Sequence, residues 1–248
     1  MSEQTASGTG LPASIEAAWG LRTRPERGPK RGLSLERIVD AAVKVAVSDG
    51  LPAVSMSRVA SQLGTSAMSL YRYVDAKDEL LILMVDTALG SPPTCQPEQG
   101  WRAGLTRWAW AQRAAYHRHP WALRIPISGA PATPNQVAWM EQALRCLAST
   151  GLSETAKMST LLLLAGYVRS VATLDATLDE AFRAAGSTPN EAMASYGALL
   201  AKLVDVERYP ALGAVIAEGV LDHADDPDDE FVFGLERLLD GIGMLVRD

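Results

Sequence analysis

Between Val59 and Tyr71 the residue types follow the order of two short amphipathic helices joined by a tight turn. Val59, Ala60 and Leu63 share one face, Gly64 follows as a left-handed C-cap, and a second short helix starts at about Ser66 and runs through Met68-Ser69-Leu70-Tyr71-Arg72-Tyr73. Small Ala60 lets the two helices approach closely, and Val59, Leu63, Leu70 and Val74 can seal the space between them. The chemistry open to such a unit is recognition rather than bond breaking. One helix braces on the backbone of a duplex while the other lies in its major groove. A helical hairpin with no nucleic-acid role is the alternative reading of the same spacing.

The rest of the chain carries no catalytic signature. There is no Ser-His-Asp ordering, no Gly-rich phosphate loop and no HExxH or GxSxG, so the chain is expected not to be an enzyme and to need no cofactor. His117 and His119 are two apart and point to different faces of a helix. His223 stands near Asp222, Asp225 and Asp226 in what reads as a loop, and no metal site is expected there. A second recognition chemistry is suggested by Trp101, Trp108, Trp110, Trp121 and Trp139, followed by Tyr167, Phe182 and Tyr196. Large aromatics line apolar small-molecule pockets and also fill ordinary cores, and both readings stand. The candidate ligand contacts are Trp108, Trp139 and Tyr167, with the polar groups Arg113, His117, Gln142, Arg169 and Asp175 on otherwise apolar helices.

The elements that must position these residues are all helical. Ser34 caps a helix whose stripe is Leu35, Ile38, Val39, Ala42 and Ala46, and Gly50 and Pro52 stop it. The two short helices follow over 55–63 and from Ser66. Asp75 is placed to cap a fourth, striped by Leu80, Leu81, Met84, Val85 and Ala88. Beyond the prolines of 91–97, periodicity predicts helices over 101–118, 135–150, 154–178, 190–204, 209–221 and 229–246. No run alternates with period two, so the fold class is all-α: a three-helix helix-turn-helix domain plus a larger helical domain for ligand binding and dimerisation. The expected organisation is a flexible basic arm over 1–32, a DNA-facing domain over 33–90 and the larger domain over 98–248.

Charge is distributed in keeping with that division. The chain carries a net −6, yet Arg22, Arg24, Arg27, Lys30 and Arg31 face only Glu26 in one short stretch. From residue 90 onward there are 13 basic and 19 acidic residues, so the acidity lies away from the segment assigned to phosphate. Cys95 and Cys146 are too few for a disulfide framework and suit a reducing, cytoplasmic compartment. No secretory signal is visible, and the longest apolar stretch, 158–174, carries Arg169 and falls short of the roughly 20 apolar residues that span a bilayer, so no membrane association is expected. The apolar helices over 154–178 and 229–246 exceed what one small domain can cover. With Ala165, Gly166, Ala172, Gly234, Gly241 and Gly243 permitting close approach, they predict a homodimer.

The string VSMSRVASQLGTSAMSLYRYVDAKDELLILMVD, with its Leu-Tyr-x-Tyr-Val-x-x-Lys-Asp-Glu-Leu continuation, resembles the DNA-binding domain of the tetracycline-repressor (TetR/AcrR-type) family over roughly residues 34–88. The remainder resembles, less specifically, that family's all-helical C-terminal domain. The resemblance implies that Ala67, Met68 and Ser69 stand at base edges, while Ser55, Ser57, Tyr71 and Tyr73 hold phosphates, with Thr65 a further DNA-binding candidate. It implies a phosphate contact at Lys77 as well. Ala67 and Met68 are apolar where a polar reader can sit, so readout by thymine-methyl contact and DNA shape is expected, with Arg72 or the N-terminal arm adding polar contacts. The implied activity is that of a ligand-responsive repressor on a near-palindromic operator, its partners a double-stranded DNA operator, a second copy of the chain and a small-molecule effector; a DNA-binding regulator without such an effector, or an activator, is the alternative.

Overall fold

The structure is a computed structural model, described here for residues 10–21 and 33–246. Among the described residues there is no β-strand. Eleven α-helices are seen among them: α1 (Ala13–Ala18), α2 (Leu35–Asp49), α3 (Met56–Gln62), α4 (Ala67–Leu70), α5 (Lys77–Leu89), α6 (Gly100–Arg118), α7 (Pro134–Cys146), α8 (Glu154–Ala185), α9 (Pro189–Leu203), α10 (Pro210–Ala217) and α11 (Pro227–Gly243).

Local chemistry explains most of the boundaries. Ser34 and Ser55 cap α2 and α3, their hydroxyls accepting the main-chain N–H groups of Arg37 and Arg58 at 3.3 and 3.2 Å. Thr188 and Glu191 form a reciprocal capping box at the start of α9. α8 runs seven residues beyond the expected end at 178, because no breaker interrupts it before Gly186, which takes φ +63°. One expected cap is not formed: Ala76, not Asp75, holds the N-cap position of α5. At the start of α4 the Ser66 hydroxyl pairs with Ser69 Oγ at 3.0 Å.

Within the stretch 1–32, expected to be a flexible basic arm, Ala13–Ala18 form α1. Ile15 is buried in the apolar cluster built by α2, α3, α4 and α5, around Ile38, Val45, Val59, Leu70, Val74, Leu80 and Met84. Burying one isoleucine there is worth about 2–3 kcal/mol, enough to hold a short helix that has little stability alone. The basic cluster of 22–31 lies outside the described residues.

Packing divides the chain into two units, Met1–Arg169 with Val246–Asp248, and Ser170–Leu245. The first runs across the boundary expected at 90–98, because α6 and α7 pack on α5. In the second, α9 and α10 pack together, and the Leu221 carbonyl comes so close to Gly197 that a Cβ there would lie 2.8 Å from it.

Candidate nucleic-acid interface

The turn between α3 and α4 closes by main-chain bonds that only a residue with positive φ permits. Gly64 has φ +65°, its N–H donates to Ser61 O at 3.1 Å, and the Thr65 N–H reaches back to Ala60 O at 3.0 Å. α4 is thereby launched across α3, anchored by Leu70, which is fully buried, and by Val74 behind it. The outward residues are set by the same register. Met68 is 74% exposed and Tyr71 43% exposed, while Ala67, Ser69 and Thr65 are half-buried at the base of the helix. Ser55, Ser57, Arg72 and Lys77 are exposed.

Two neighbours of this surface are committed to protein contacts. The Tyr73 hydroxyl donates to Leu33 O at 2.9 Å and its ring packs on the core cluster, so its proton is used to seat the start of α2. Arg58 is clamped on Asp49 at 2.7 Å, an ion pair that ties α3 to the end of α2 and holds the Asp49 carboxyl below its usual range. The face that remains carries a thioether, hydroxyls, a phenol and two free-standing side-chain cations, with no carboxylate among the residues singled out for it. Such a set can meet base methyls through Met68 and phosphate oxygens through Ser55, Ser57, Tyr71, Arg72 and Lys77.

The eight candidate ligand contacts are held in different ways. Trp108 and Trp139 stack edge to face with centroids 5.5 Å apart, and Trp108 Nε1 donates to Trp139 O at 2.9 Å. Trp139 Nε1 in turn donates to Gly90 O at 2.8 Å, and Gln142 Oε1 accepts the Cys95 N–H at 2.8 Å. Trp139 and Gln142 therefore grip the connection between α5 and α6. Arg113 is buried with its guanidinium 5.3 Å from the Trp110 ring. Arg169 donates to Leu123 O and Ile125 O, both at 3.0 Å, and lies 5.8 Å from the Tyr116 ring. Tyr167 is half-buried on α8 near Arg169 in sequence, His117 is exposed at the end of α6, and Asp175 belongs to the second unit. Among the described residues no group of three or more His, Cys, Asp or Glu side chains is placed to hold a metal.

Sequence reasoning passed over the residue that joins these parts. Asp86, buried on α5, receives the main-chain N–H groups of Asn135 and Gln136 on Oδ1 at 2.9 and 3.1 Å, and Asn135 Nδ2 on Oδ2 at 3.1 Å. Its carboxylate caps the N-terminus of α7, where the helix dipole favours negative charge. The available signal was a lone acid in the apolar run Leu80-Leu81-Ile82-Leu83-Met84-Val85-Asp86.

Comparison with known proteins decides what this arrangement belongs to. The family described as bacterial regulatory proteins, tetR family, matches residues 38–84, and the tetracyclin repressor-like C-terminal domain matches residues 93–246. The chain belongs to the TetR family. It is a DNA-binding transcriptional regulator, not an enzyme. Among curated TetR-type relatives, the HTH-type transcriptional repressor DrrR1 of Streptomyces coeruleorubidus is 38% identical over 99% of this chain and 90% of its own. The HTH-type transcriptional repressor Rv1353c of Mycobacterium tuberculosis is 28% identical over 92% of this chain and 86% of its own. Among solved structures, the Streptomyces coelicolor TetR family protein ActR in complex with actinorhodin superposes with a TM-score of 0.74 at 27% identity, covering 87% of this chain and 98% of ActR. ActR in complex with (S)-DNPA gives 0.70 at 28% identity, covering 84% and 96%. α8, the described helix long and apolar enough by length and composition to cross a membrane, lies inside the matched C-terminal domain, which assigns its apolar surface to a regulator rather than to a bilayer.

Proposed function

We propose that the protein is an effector-responsive repressor that binds a near-palindromic operator as a homodimer in the cytoplasm. The observation that carries this reading is the outward presentation of Met68 and Tyr71 on a helix locked from behind by Leu70 and from the side by the Gly64 turn. Met68, with Ala67, Ser69 and Thr65, reads base edges; Ser55, Ser57, Tyr71, Arg72 and Lys77 hold phosphates. Tyr73 acts through its bond to Leu33 and steadies the head instead of touching DNA.

The dimer reading rests on α8 and α11. Met158, Leu162, Leu163, Leu174 and Leu178 on α8, and Val232 and Phe233 on α11, are exposed in the single chain. Two copies of such helices bury these residues against each other and set two copies of α4 one turn of DNA apart, about 34–36 Å. The repressor sense follows the named function of DrrR1, and the effector follows ActR, solved with actinorhodin and with (S)-DNPA. The larger domain, here taken as 98–248 behind a DNA-facing domain of 33–90, accepts the effector near Arg113, Tyr167 and Arg169, and the Asp86–α7 joint passes the change to α5. A population shift of this kind involves about 1–3 kcal/mol of coupling.

The test is selection of duplexes from fragmented genomic DNA by the full-length protein, followed by titration with wild type and Tyr71→Ala. Recovery of inverted half-sites, with affinity lost in the variant, supports the reading. Equal recovery by both proteins would overturn it.

A further inference from the structure

α1 stands outside the helix-turn-helix, yet it touches both sides of the joint between α5 and α7. The Ser14 hydroxyl, buried, donates to Glu79 Oε2 on α5 at 2.5 Å. Five residues on, Trp19 Nε1 donates to Ala132 O at 2.7 Å. Ala132 directly precedes Thr133, the N-cap of α7. Ile15, between these anchors, sits in the core cluster and fixes the helix against α2 and α5.

Geometry gives the second anchor its consequence. Two side-chain bonds between α5 and α7, Asp86 to the start of α7 and Trp139 Nε1 to Gly90 O, both lie toward the C-terminal end of α5. Glu79 lies seven residues before Asp86 on the same helix, about 10 Å along the axis at 1.5 Å per residue. Contacts at both positions fix the direction of α5 as well as its place. α1 supplies a contact at the N-terminal end of α5 by running from Glu79 to the 126–133 loop that leads into α7.

We infer that α1 is a strap across this joint and that Trp19 is a positioning residue through which the loop ahead of α7 and the DNA-facing helix α5 move together. The strap sets how faithfully a change on one side is felt on the other, and it rests on the DNA-binding reading only for what is being positioned.

The experiment is amide hydrogen exchange on full-length wild type, Trp19→Phe and Ser14→Ala, free and with a duplex recovered by the wild type from random-sequence DNA. Trp19→Phe keeps a ring at this 40% exposed site and removes only the donor. One net hydrogen bond corresponds to about two- to tenfold in the population of the closed strap. In the free protein, exchange over 126–133 and the first turn of α7 is therefore expected to rise by that factor in Trp19→Phe, with α2 core amides unchanged. Ser14→Ala is expected to act in the same direction from the other end. In wild type the duplex slows exchange over 126–133, and in Trp19→Phe that remote protection is lost. Equal exchange over 126–133 in wild type and Trp19→Phe, a rise spread over all helices, or no remote protection in wild type would each overturn the inference. A selection that recovers no duplex counts against the DNA-binding reading instead, and the free-protein comparison then decides the strap.

Discussion

Asp86 Oδ1 lies 2.9 Å from the main-chain nitrogen of Asn135, so a side chain from the last helix of the DNA-facing part forms the cap of an effector-domain helix. One carboxylate thus supports two functions, the stability of α7 and the mechanical continuity between the domains. Replacing it with alanine leaves the half-buried first turn of α7 without its acceptor for two N–H groups. Asp86→Ala is expected to lose about 2 kcal/mol in urea unfolding, within the range for buried caps and charge-assisted bonds. Asp86→Asn, which keeps one acceptor, is expected to lose less. A change for Asp86→Ala within about 0.5 kcal/mol, as for an ordinary surface site, would contradict the assigned role.

At the DNA face, Lys77 and Met68 are expected to fail differently. Lys77→Ala removes one phosphate contact, so affinity falls to a similar degree for all duplexes and the salt slope drops by about 1. Met68→Ala removes an apolar contact to a base edge, so it relaxes preference at one position of each half-site with the salt slope unchanged. Competition assays against single-base variants at several salt concentrations separate the two. An altered salt slope for Met68→Ala would remove it from the base-reading role.

Gly104 on α6 and Cys146 on α7 are packed without spare room. A Cβ at 104 would fall 2.6 Å from Cys146 Sγ and 3.2 Å from its Cβ. Gly104→Ala is therefore expected to destabilise by about 1–3 kcal/mol through overpacking, despite alanine's better helix propensity. Adding Cys146→Ala should return most of the loss, which a double-mutant cycle by thermal unfolding measures. Stabilisation by Gly104→Ala would show that the helices yield.

The two thiols give a pH expectation. Burial, first, and the neighbouring Cys95 thiol, second, push Cys146 up to about 12 from an ordinary value of 9.0. The protonated form is favoured in the folded state, so the stability this contributes is complete below about pH 9 and is lost as pH rises toward 12. The thiolate is the reactive species, so Cys146 is expected to resist alkylation at neutral pH until the protein is unfolded. Rapid modification of Cys146 in native protein, read by mass spectrometry of peptides, would contradict its placement.

How much of this was legible in the sequence follows from the range of the interactions involved. The helix-turn-helix was readable because its signals are local: Ser34 as cap, Gly64 as a left-handed C-cap, and apolar spacing that buries Leu70 and exposes Met68. α1 was not, since a six-residue helix in a Gly- and Pro-rich stretch depends on Ile15 finding a core formed far along the chain. The same holds for Trp139 and Gln142. Their residue types suggest ligand contact, and only the fold reveals that they hold Gly90 and Cys95. Asp86 shows the limit most clearly, for its partners stand 49 and 50 residues away.

The central claim is that α4 reads a duplex in pairs, and nuclease footprinting on the selected duplex tests it most directly. With wild-type protein, two inverted protected half-sites are expected with centres one helical turn or slightly more apart, both disappearing with Tyr71→Ala while the variant's thermal unfolding is retained. Protection of one isolated half-site, or a footprint that survives in Tyr71→Ala, would contradict the account.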